Sequence, residues 1–276
     1  MTKPYITVIT STYNAAKTLR RCLDSVENQS YPNIEQIIID GNSSDGTQDI
    51  IVEYAEKENT CISYWISEPD SGIYNAWNKA LPHINGEWVL FLGADDYYCE
   101  SIFDKIVPTL QKLQQNITIA YGKVSVFDAE TNTVIRTLGK NWDYHKKGFF
   151  NGLLMLPHQG VFHRRTVFEN SSGFNDTYRI AADYAFLYPI LESEEPVFID
   201  EIIAMYSNEG VSSNIENSLR CLAEYEKTVN KHGRKVSILF KTMRLKTKLL
   251  LFCKTHNLKW MYTVIDKSYN YVVKNL

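Results

Sequence analysis

Short apolar runs rich in β-branched residues alternate with segments of helical periodicity through the first half of the chain. The runs at residues 34–40 and 88–92 are almost unbroken, which is typical of strands that are covered on both faces. Between such runs, Leu19, Leu23 and Val26 recur at the spacing of one helix face. This alternation predicts an α/β domain whose mostly parallel sheet is flanked by helices.

The same patterns place the individual elements. Predicted strands cover residues 5–12, 34–40, 62–67, 88–92, 118–127, 133–138, 159–163 and 197–206. Predicted helices cover residues 16–29, 45–58, 72–81, 100–115 and 183–191, and the chain is again helical from about residue 216. We therefore expect one large domain over residues 1–215 and a helical segment over residues 216–276.

The composition is that of an ordinary folded protein, since 44% of the residues are hydrophobic and 22% are charged. Five scattered cysteines without a C-x-x-C motif argue against a disulfide framework and a zinc site, and they favour a reduced, cytoplasmic location. Polar residues interrupt the first apolar run at Thr10, and no later run reaches the length of a membrane-spanning helix. We expect neither a signal peptide nor a transmembrane segment.

The net charge of −3 conceals two oppositely charged parts. Residues 227–276 contain twelve Lys or Arg and one acid, a charge of +11, which leaves −14 for residues 1–226. In the basic part, lysines alternate with apolar and aromatic residues such as Trp260, Tyr262 and Tyr269. Such a helix suits the surface of an anionic membrane, and the alternative is a basic subdomain packed on the acidic domain. We expect no nucleic-acid partner, because the acidic domain would repel phosphates.

Polar clusters follow four of the predicted strands, at residues 11–14, 40–43, 68–70 and 95–96. In open α/β sheets, ligands bind beyond the carboxyl ends of the strands. We therefore expect a single site to collect these side chains.

Asp95 and Asp96 are adjacent acids that follow a buried strand. Their mutual repulsion would be relieved by a hard divalent cation, which takes oxygen ligands and completes its shell with water and phosphate oxygens. A diphosphate is the natural partner of such an ion. The alternative is a solvated acidic turn or a helix start.

Asp40 ends a second buried strand, where a carboxylate is costly unless it is hydrogen-bonded. It could accept a hydrogen bond from an N–H group of a nucleotide base, which Thr12 and Tyr13 could also contact by hydrogen bonding and stacking. Alternatively, Asp40 could cap the turn at residues 41–44.

Other candidate residues lie at predicted helix starts. Asp70 precedes one helix and could be its N-cap, and Asn75, Asn78 and Lys79 share one face of that helix. That polar stripe is either a solvated surface or part of the site. Asp183 begins another helix, where an acid is favoured by the helix dipole and could also act as a general base.

Five motifs follow one another in a characteristic order. They are ITVITSTYN at residues 6–14, SVENQSYPN at 25–33 followed by IDGNSSDGT at 39–47, the block from Asp70 to Lys79, the pair Asp95-Asp96, and Ala182-Asp183-Tyr184. Over about residues 4–210 this ordered set resembles the inverting family 2 glycosyltransferases with the GT-A fold. The resemblance implies a GT-A-type catalytic domain over residues 1–215, with a donor-binding part to about residue 100 and an acceptor-side part over about 100–215.

The resemblance also implies roles for matching positions. It implies a nucleotide and donor site formed by Thr12, Tyr13, Asn14, Asp40, Asp70, Asn75, Lys79 and Asp95. It implies that Asp96 ligates Mn²⁺ or Mg²⁺ on the donor diphosphate and that Asp183 deprotonates the acceptor hydroxyl. His158 and Gln159, in the similar stretch LPHQGVFHRR at residues 156–165, would line the acceptor or donor pocket, while a structural or metal-binding role for His158 stays open.

The resemblance implies inverting transfer of a hexosyl or N-acetylhexosaminyl group from a nucleotide-diphosphate sugar, with UDP favoured, to an acceptor hydroxyl. We expect the acceptor to be a lipid-linked saccharide of bacterial surface polysaccharide assembly. We expect the protein to be cytoplasmic and peripheral on the inner face of the cell membrane. Many family members carry an acid where this chain has Gly93, so only two acids remain for the metal.

Other nucleotide-binding enzymes are disfavoured because their motifs do not occur. Residues 10–18 contain no glycine, although a nucleotidyltransferase would need a glycine-rich loop there, and neither G-x-G-x-x-G nor G-x-x-x-x-G-K-[ST] is found. The remaining alternative is a catalytically inactive nucleotide- or sugar-binding module of the same fold, which a turnover assay distinguishes.

Overall fold

The computed structural model describes residues 3–169, 171–208, 215–261 and 263. The strands in these ranges are β1 (Ile6–Thr12), β2 (Ile34–Asp40), β3 (Ile62–Ser67), β4 (Trp88–Gly93), β5 (Tyr97–Tyr98), β6 (Ile119–Phe127), β7 (Val134–Leu138), β8 (Val161–Arg164) and β9 (Val197–Ser207). The α-helices are α1 (Leu19–Glu27), α2 (Thr47–Ala55), α3 (Ile73–Ala80), α4 (Ile102–Leu110), α5 (Trp142–Phe150), α6 (Thr166–Glu169), α7 (Ala182–Ser193), α8 (Ile215–Lys231) and α9 (Ile238–Thr255).

Most predicted elements are present with slightly different ends. β2 and β3 have the predicted bounds, whereas most of the helices are shorter than predicted. The helix predicted over residues 16–29 begins only at Leu19, because the amides of Thr18 and Leu19 first close a turn on the carbonyl of Ala15. Propensity marks the helix as a whole, but local hydrogen bonds decide where it starts.

Some elements of the second half differ from the sequence-based prediction. The strand predicted from residue 159 begins at Val161, because His158–Gly160 forms a short 3₁₀ turn. The helix α5 and the two-residue strand β5 were not predicted. α5 is started by Asn141, whose side chain accepts the amide of Tyr144 at 3.1 Å, and this cap lies in a stretch without clear helical periodicity.

The nine strands form one sheet in the order β3-β2-β1-β4-β8-β6-β9-β5, with β7 beside β6. β1 to β4 are parallel neighbours, as the unbroken apolar runs predict. The second half of the sheet adds antiparallel pairs, because β6 and β7 are joined by a short turn that only antiparallel strands can use. β8 runs antiparallel to both β4 and β6, while β6 and β9 are parallel.

The register of the parallel strands brings their carboxyl ends together. Thr12 pairs with Asp40, Asp40 pairs with Ser67, and Ser11 pairs with Gly93. The polar residues that follow four separate strands in the sequence therefore meet at one edge of the sheet, as predicted.

Helices cover both faces of the sheet. Successive residues of β4 point to opposite sides: Leu90 and Leu92 belong to a core cluster with α1 and α4, whereas Val89 and Phe91 belong to a cluster with α3. This two-sided burial explains why β4 is apolar along its length until the chain reaches Asp95.

The first part of the predicted basic segment packs on the domain. α8, the connection after it and the start of α9 contribute Leu222, Val229, Val236 and Phe240 to the core cluster that contains Tyr184 and Tyr188 of α7. For this part of the segment, the structure therefore shows the alternative of a basic subdomain packed on the acidic domain. The predicted domain boundary at residues 215 and 216 stays a prediction, and the adjoining residues 209–214 lie outside the described residues.

The later part of α9 presents apolar and basic side chains together. Leu245, Leu249 and Phe252 are 58%, 42% and 50% exposed, and Lys248 and Lys254 are exposed between them. Among the described residues, no helix is both long enough and apolar enough to cross a membrane. Tyr262 and Tyr269, which the sequence interpretation included in this surface, lie outside the described residues.

Two phenylalanines of α9 test whether the segment is part of the core. Phe240 is fully buried, so Phe240→Ala should lower the free energy of unfolding by about 3–5 kcal/mol. The half-exposed Phe252 is the matched control, and Phe252→Ala should change that energy by less than about 0.5 kcal/mol. Urea denaturation measures both values. Equal small effects would mean that α9 is not docked on the domain.

Candidate active site

The carboxylate of Asp40 organises one half of the site. It is fully buried and accepts hydrogen bonds from the Ser43 amide at 2.9 Å, the Ser43 hydroxyl at 2.5 Å and the Ser67 hydroxyl at 2.6 Å. The turn-capping interpretation of Asp40 is therefore what the structure shows. Contact between Asp40 and a nucleotide base stays a prediction.

The other residues predicted to hold a base lie around Gly41. A Cβ atom at Gly41 would be 2.9 Å from a carboxylate oxygen of Asp70 and 3.3 Å from the ring of Tyr13, so only glycine lets these two side chains approach. Tyr13 is 68% exposed, and the Thr12 hydroxyl is buried without a hydrogen-bond partner. An exposed ring beside an unpartnered hydroxyl can stack on and hydrogen-bond a planar ligand.

Asn14 joins two of the strand ends. Its side-chain oxygen accepts the backbone amide of Ser44 at 3.0 Å, and its backbone amide donates to the Ser43 hydroxyl at 2.7 Å. Asn14 has a left-handed backbone with φ of 48°, which asparagine tolerates better than most residues. The structure gives Asn14 the role of fixing the turn after β2 to the end of β1.

The turn before α3 is braced by the residues that the sequence singled out. Asp70 accepts the Gly72 amide at 2.8 Å, and Asn75 receives a long hydrogen bond from the Ser71 amide at 3.4 Å. The Lys79 ammonium lies 2.9 Å from a Glu68 carboxylate oxygen and donates to the Pro69 carbonyl at 2.8 Å. These partners hold the turn in place, and donor contacts of Asp70, Asn75 and Lys79 stay predictions.

Asp95 and Asp96 converge beneath Gly93. A Cβ atom at Gly93 would lie 2.9 Å from a carboxylate oxygen of each aspartate. Asp96 is buried, where it accepts the Ser207 amide at 2.9 Å and the Gln159 side-chain amide at 3.0 Å. Burial and the neighbouring charge of Asp95 raise the pKa of Asp96. A side chain at position 93 would occupy the space in which the two carboxylates meet.

This donor set fits a divalent cation only in part. Two adjacent carboxylates suit Mn²⁺ or Mg²⁺ when diphosphate oxygens and water supply the remaining ligands. In the described part of the chain, no group of three or more His, Cys, Asp or Glu side chains could hold a metal ion by itself.

Asp183 lies at the start of α7 and is buried. One carboxylate oxygen accepts the Tyr74 hydroxyl at 3.0 Å, and the other lies 3.7 Å from Nδ1 of His158. Burial raises the pKa of Asp183 to about 7, because the charged form loses its hydration. The carboxylate is therefore poised to exchange a proton near neutral pH.

His158 is a neutral neighbour of this carboxylate. It is buried against the rings of Trp77 and Phe91, with centroid distances of 4.9 and 5.3 Å, and burial lowers the pKa of His158 well below its usual value. Because the imidazole is neutral and 3.7 Å exceeds hydrogen-bonding distance, the contact with Asp183 is not an ion pair. Both ring nitrogens lack a hydrogen-bond partner.

The dipeptide His158-Gln159 joins the two acidic centres. His158 contacts Asp183, and Gln159 donates to Asp96, so the proton-exchanging carboxylate and the acid pair are linked through adjacent residues. Both residues and Asp183 line one cavity of about 450 Å³. The structure thus brings together the two predicted pocket residues, the predicted base and the predicted metal ligand.

Sequence reasoning missed two residues that position the acids. Tyr74, which donates to Asp183, lies in a quoted motif but was not assigned a role. Arg21 donates to the Asp95 carbonyl at 3.1 Å, and its guanidinium lies 4.6 and 4.7 Å from the ring centres of Tyr97 and Phe127. No sequence signal marks Arg21, because all these partners are distant along the chain.

Comparison with known proteins identifies relatives of most of the chain. The family model described as Glycosyl transferase family 2 matches residues 7–170. The PGL/p-HBAD biosynthesis glycosyltransferase of Mycobacterium tuberculosis is 29% identical over 222 residues, which cover 78% of this chain and 81% of that protein. The resemblance found in the sequence motifs is thereby confirmed.

Solved structures share the fold. Residues 1–349 of TarS from S. aureus, in complex with UDP-GlcNAc, match with a TM-score of 0.64 and 18% identity. The match covers 81% of this chain and 66% of the TarS structure, which is just under two thirds of it. The mannosyltransferase PcManGT from Pyrobaculum calidifontis, in complex with GDP-Man and Mn²⁺, matches with a TM-score of 0.61 and 16% identity over 99% of this chain and 76% of that one. This likeness confirms the predicted GT-A-type α/β fold.

Proposed function

The chain belongs to glycosyltransferase family 2, and from that premise we propose that it moves a sugar from a nucleotide-diphosphate sugar to an acceptor hydroxyl with inversion of configuration. UDP is the favoured nucleotide, and the sugar is a hexosyl or N-acetylhexosaminyl group. The observation that carries the proposal is the buried Asp183, whose pKa burial raises to about 7, in a cavity that also contains Gln159 beside Asp96. Solved relatives of the fold hold UDP-GlcNAc or GDP-Man, which supports a nucleotide-sugar donor.

Asp183 is the general base in this proposal. Its ionised carboxylate takes the proton of the acceptor hydroxyl while that oxygen attacks the anomeric carbon, and a base with a pKa near the working pH does this best. Tyr74 holds one carboxylate oxygen by its hydroxyl, which leaves the other available to the acceptor. Attack from the side opposite the departing diphosphate inverts the anomeric configuration.

The strand ends bind the donor. Tyr13 stacks on the base, the buried Thr12 hydroxyl hydrogen-bonds to the base, and Asp70 lies across Gly41 from Tyr13 to close the pocket. Asp40 and Asn14 shape the same pocket through their hydrogen bonds to the turn after β2. The Asn75 and Lys79 side chains complete the donor site through the turn that they brace.

Asp95 and Asp96 lie where the diphosphate leaves. Asp95 would bind the ribose, and Asp96 would hold Mn²⁺ or Mg²⁺ beside the diphosphate. A bound divalent cation neutralises the negative charge that develops on the departing group. Ser207 and Gln159 keep the Asp96 carboxylate in a fixed orientation throughout.

The acceptor in this proposal is a lipid-linked saccharide in the assembly of a bacterial surface polysaccharide. The protein would meet this acceptor on the inner face of the cell membrane, as a peripheral cytoplasmic enzyme. The later part of α9 supports this location, because exposed lysines lie among exposed apolar side chains there.

Replacement of the base tests the catalytic assignment. Asp183→Asn keeps the size of the side chain but cannot accept a proton, so kcat should fall by about a hundredfold or more while nucleotide binding by calorimetry stays near normal. In the wild type, the rate should fall as the pH drops through about 7, because Asp183 becomes protonated, and it should level off above that pH. Tyr74→Phe should move this fall to higher pH, since it removes a hydrogen bond to the charged form.

Two outcomes would contradict the base assignment. Unchanged turnover in Asp183→Asn would mean that another group accepts the proton. Nucleotide binding without any turnover of a panel of donors and acceptors by the wild type would favour the inactive binding module of the same fold.

Removal of the metal or of its ligand tests the second assignment. Asp96→Ala and treatment of the wild type with EDTA should each abolish transfer, and added Mn²⁺ or Mg²⁺ should restore only the treated wild type. Asp95→Ala should raise the KM for the donor more than it lowers kcat, because it affects ribose binding. The exposed acid Asp143 is the control, and Asp143→Ala should remain fully active. Full activity of Asp96→Ala with an intact fold would overturn the assignment.

Charge reversal on α9 tests the membrane location without removing core residues. The triple variant Lys241→Glu, Lys248→Glu, Lys254→Glu should bind anionic phosphatidylglycerol vesicles about a hundredfold more weakly than the wild type, because each lysine near such a surface contributes about 1 kcal/mol. Added salt should also weaken binding of the wild type. The control reverses the exposed lysines Lys17, Lys112 and Lys147 instead. Equal cosedimentation of both variants would refute an α9-specific membrane contact.

A further inference from the structure

The cavity beside Asp183 is lined by both apolar and polar side chains. It encloses about 450 Å³, within the range of small-molecule binding sites. Leu138 of β7, the loop residues Leu153, Leu154 and Met155, and Ile180 form an apolar wall. These loop side chains are half-buried, and Leu138 is 36% exposed; Leu153 and Met155 also pack on the core cluster that contains Tyr184, so they border the cavity with the remaining part of their surface.

The polar end of the cavity contains groups without protein partners. His145 and His158 both line the cavity and are buried, and three of their ring nitrogens have no hydrogen-bond partner. Burial lowers the pKa of both histidines, so they are neutral. A buried polar atom without a partner costs free energy unless a ligand or water satisfies it. Together with Asp183 and Gln159, these histidines can hydrogen-bond to hydroxyl groups.

The loop that carries part of the apolar wall packs on the start of α9. A Cβ atom at Gly152, which precedes the loop leucines, would lie 3.2 Å from the ring of Phe240 and 3.6 Å from Val236. Ile238 and Leu239, next to Phe240, are 82% and 40% exposed. The loop that lines the cavity is therefore supported by the first turn of α9 through the buried Phe240 and Val236.

We propose that the acceptor is amphipathic, with its reacting hydroxyl at Asp183 and an apolar group directly next to the sugar that bears it. That apolar group lies against Leu138, Leu154 and Met155. A saccharide chain without such a group would leave this wall in contact with water and would gain nothing from it. The inference rests on the proposed function, and it narrows the acceptor to a sugar attached directly to an apolar carrier.

Binding of matched glycosides tests the inference. Octyl β-D-glucoside, below the concentration at which it forms micelles, and methyl β-D-glucoside differ only in the apolar group. Calorimetry in the presence of UDP should show at least about tenfold tighter binding of the octyl compound, since burial of an alkyl chain is favourable. If the enzyme also transfers sugar to these glucosides, the KM of the octyl compound should be lower than that of the methyl compound, whereas their kcat values should be similar.

Substitutions in the cavity wall test whether the preference for the octyl glucoside arises there. Leu154→Asn and Leu138→Asn should each reduce it to less than about threefold, and Leu138 is exposed enough that its replacement should not unfold the protein. Leu245→Asn, on the exposed side of α9, is the matched control and should keep the full preference. Equal binding of the two glucosides, or an unchanged preference in both cavity variants, would overturn the inference.

Nucleotide binding separates this test from that of the proposed function. Failure of the proposed function would appear as no binding of UDP and no transfer from UDP-sugars. Failure of the inference would appear as normal UDP binding without a preference for the octyl group.

Discussion

The parallel register of β1 to β4 is the constraint on which the candidate site depends. Because Thr12 pairs with Asp40 and Asp40 with Ser67, a slip of one residue would turn each of these side chains to the opposite face of the sheet. Asp40 fixes the arrangement chemically, since its buried carboxylate is satisfied only when β2, the turn at Ser43 and the end of β3 are all in place. The pocket between Tyr13 and Asp70 is built on that framework.

Differences in hydrogen bonding separate the buried acids by role. Asp40 accepts three hydrogen bonds from serine residues and is fully enclosed, which suits a structural group. Asp183 accepts the Tyr74 hydroxyl and backbone amides at the start of its own helix, beside the neutral His158, but burial outweighs these donors and raises its pKa to about 7. The same residue type thus joins two strand ends at Asp40 and, at Asp183, has a pKa that burial raises towards neutrality.

Sequence patterns predicted the parts of the molecule that depend on local order. The apolar runs gave β2 and β3 with their bounds, and the rule for strand ends placed Asp40, Asp70 and Asp96 at one edge. What the patterns could not predict depends on partners that are distant in the chain. Arg21 reaches Asp95 across 74 residues, and the start of α5 depends on one capping side chain in an aromatic stretch without clear period. Tertiary contacts of this kind leave no periodic signal.

The basic end of the chain shows why charge alone was insufficient to predict its structure. The +11 charge of residues 227–276 leaves both a membrane-surface helix and a packed basic subdomain open, and Val236 and Phe240 do pack with Tyr184 and Tyr188 of α7. Phe240 also lies against Gly152, at the base of the loop that lines the cavity beside Asp183. Removal of the chain after Gly233 would therefore disturb the core and the cavity together with the exposed surface. The surface of α9 has to be separated from its packing by substitutions at exposed positions, because the same helix packs on α7 through Phe240 and presents exposed lysines such as Lys248 and Lys254.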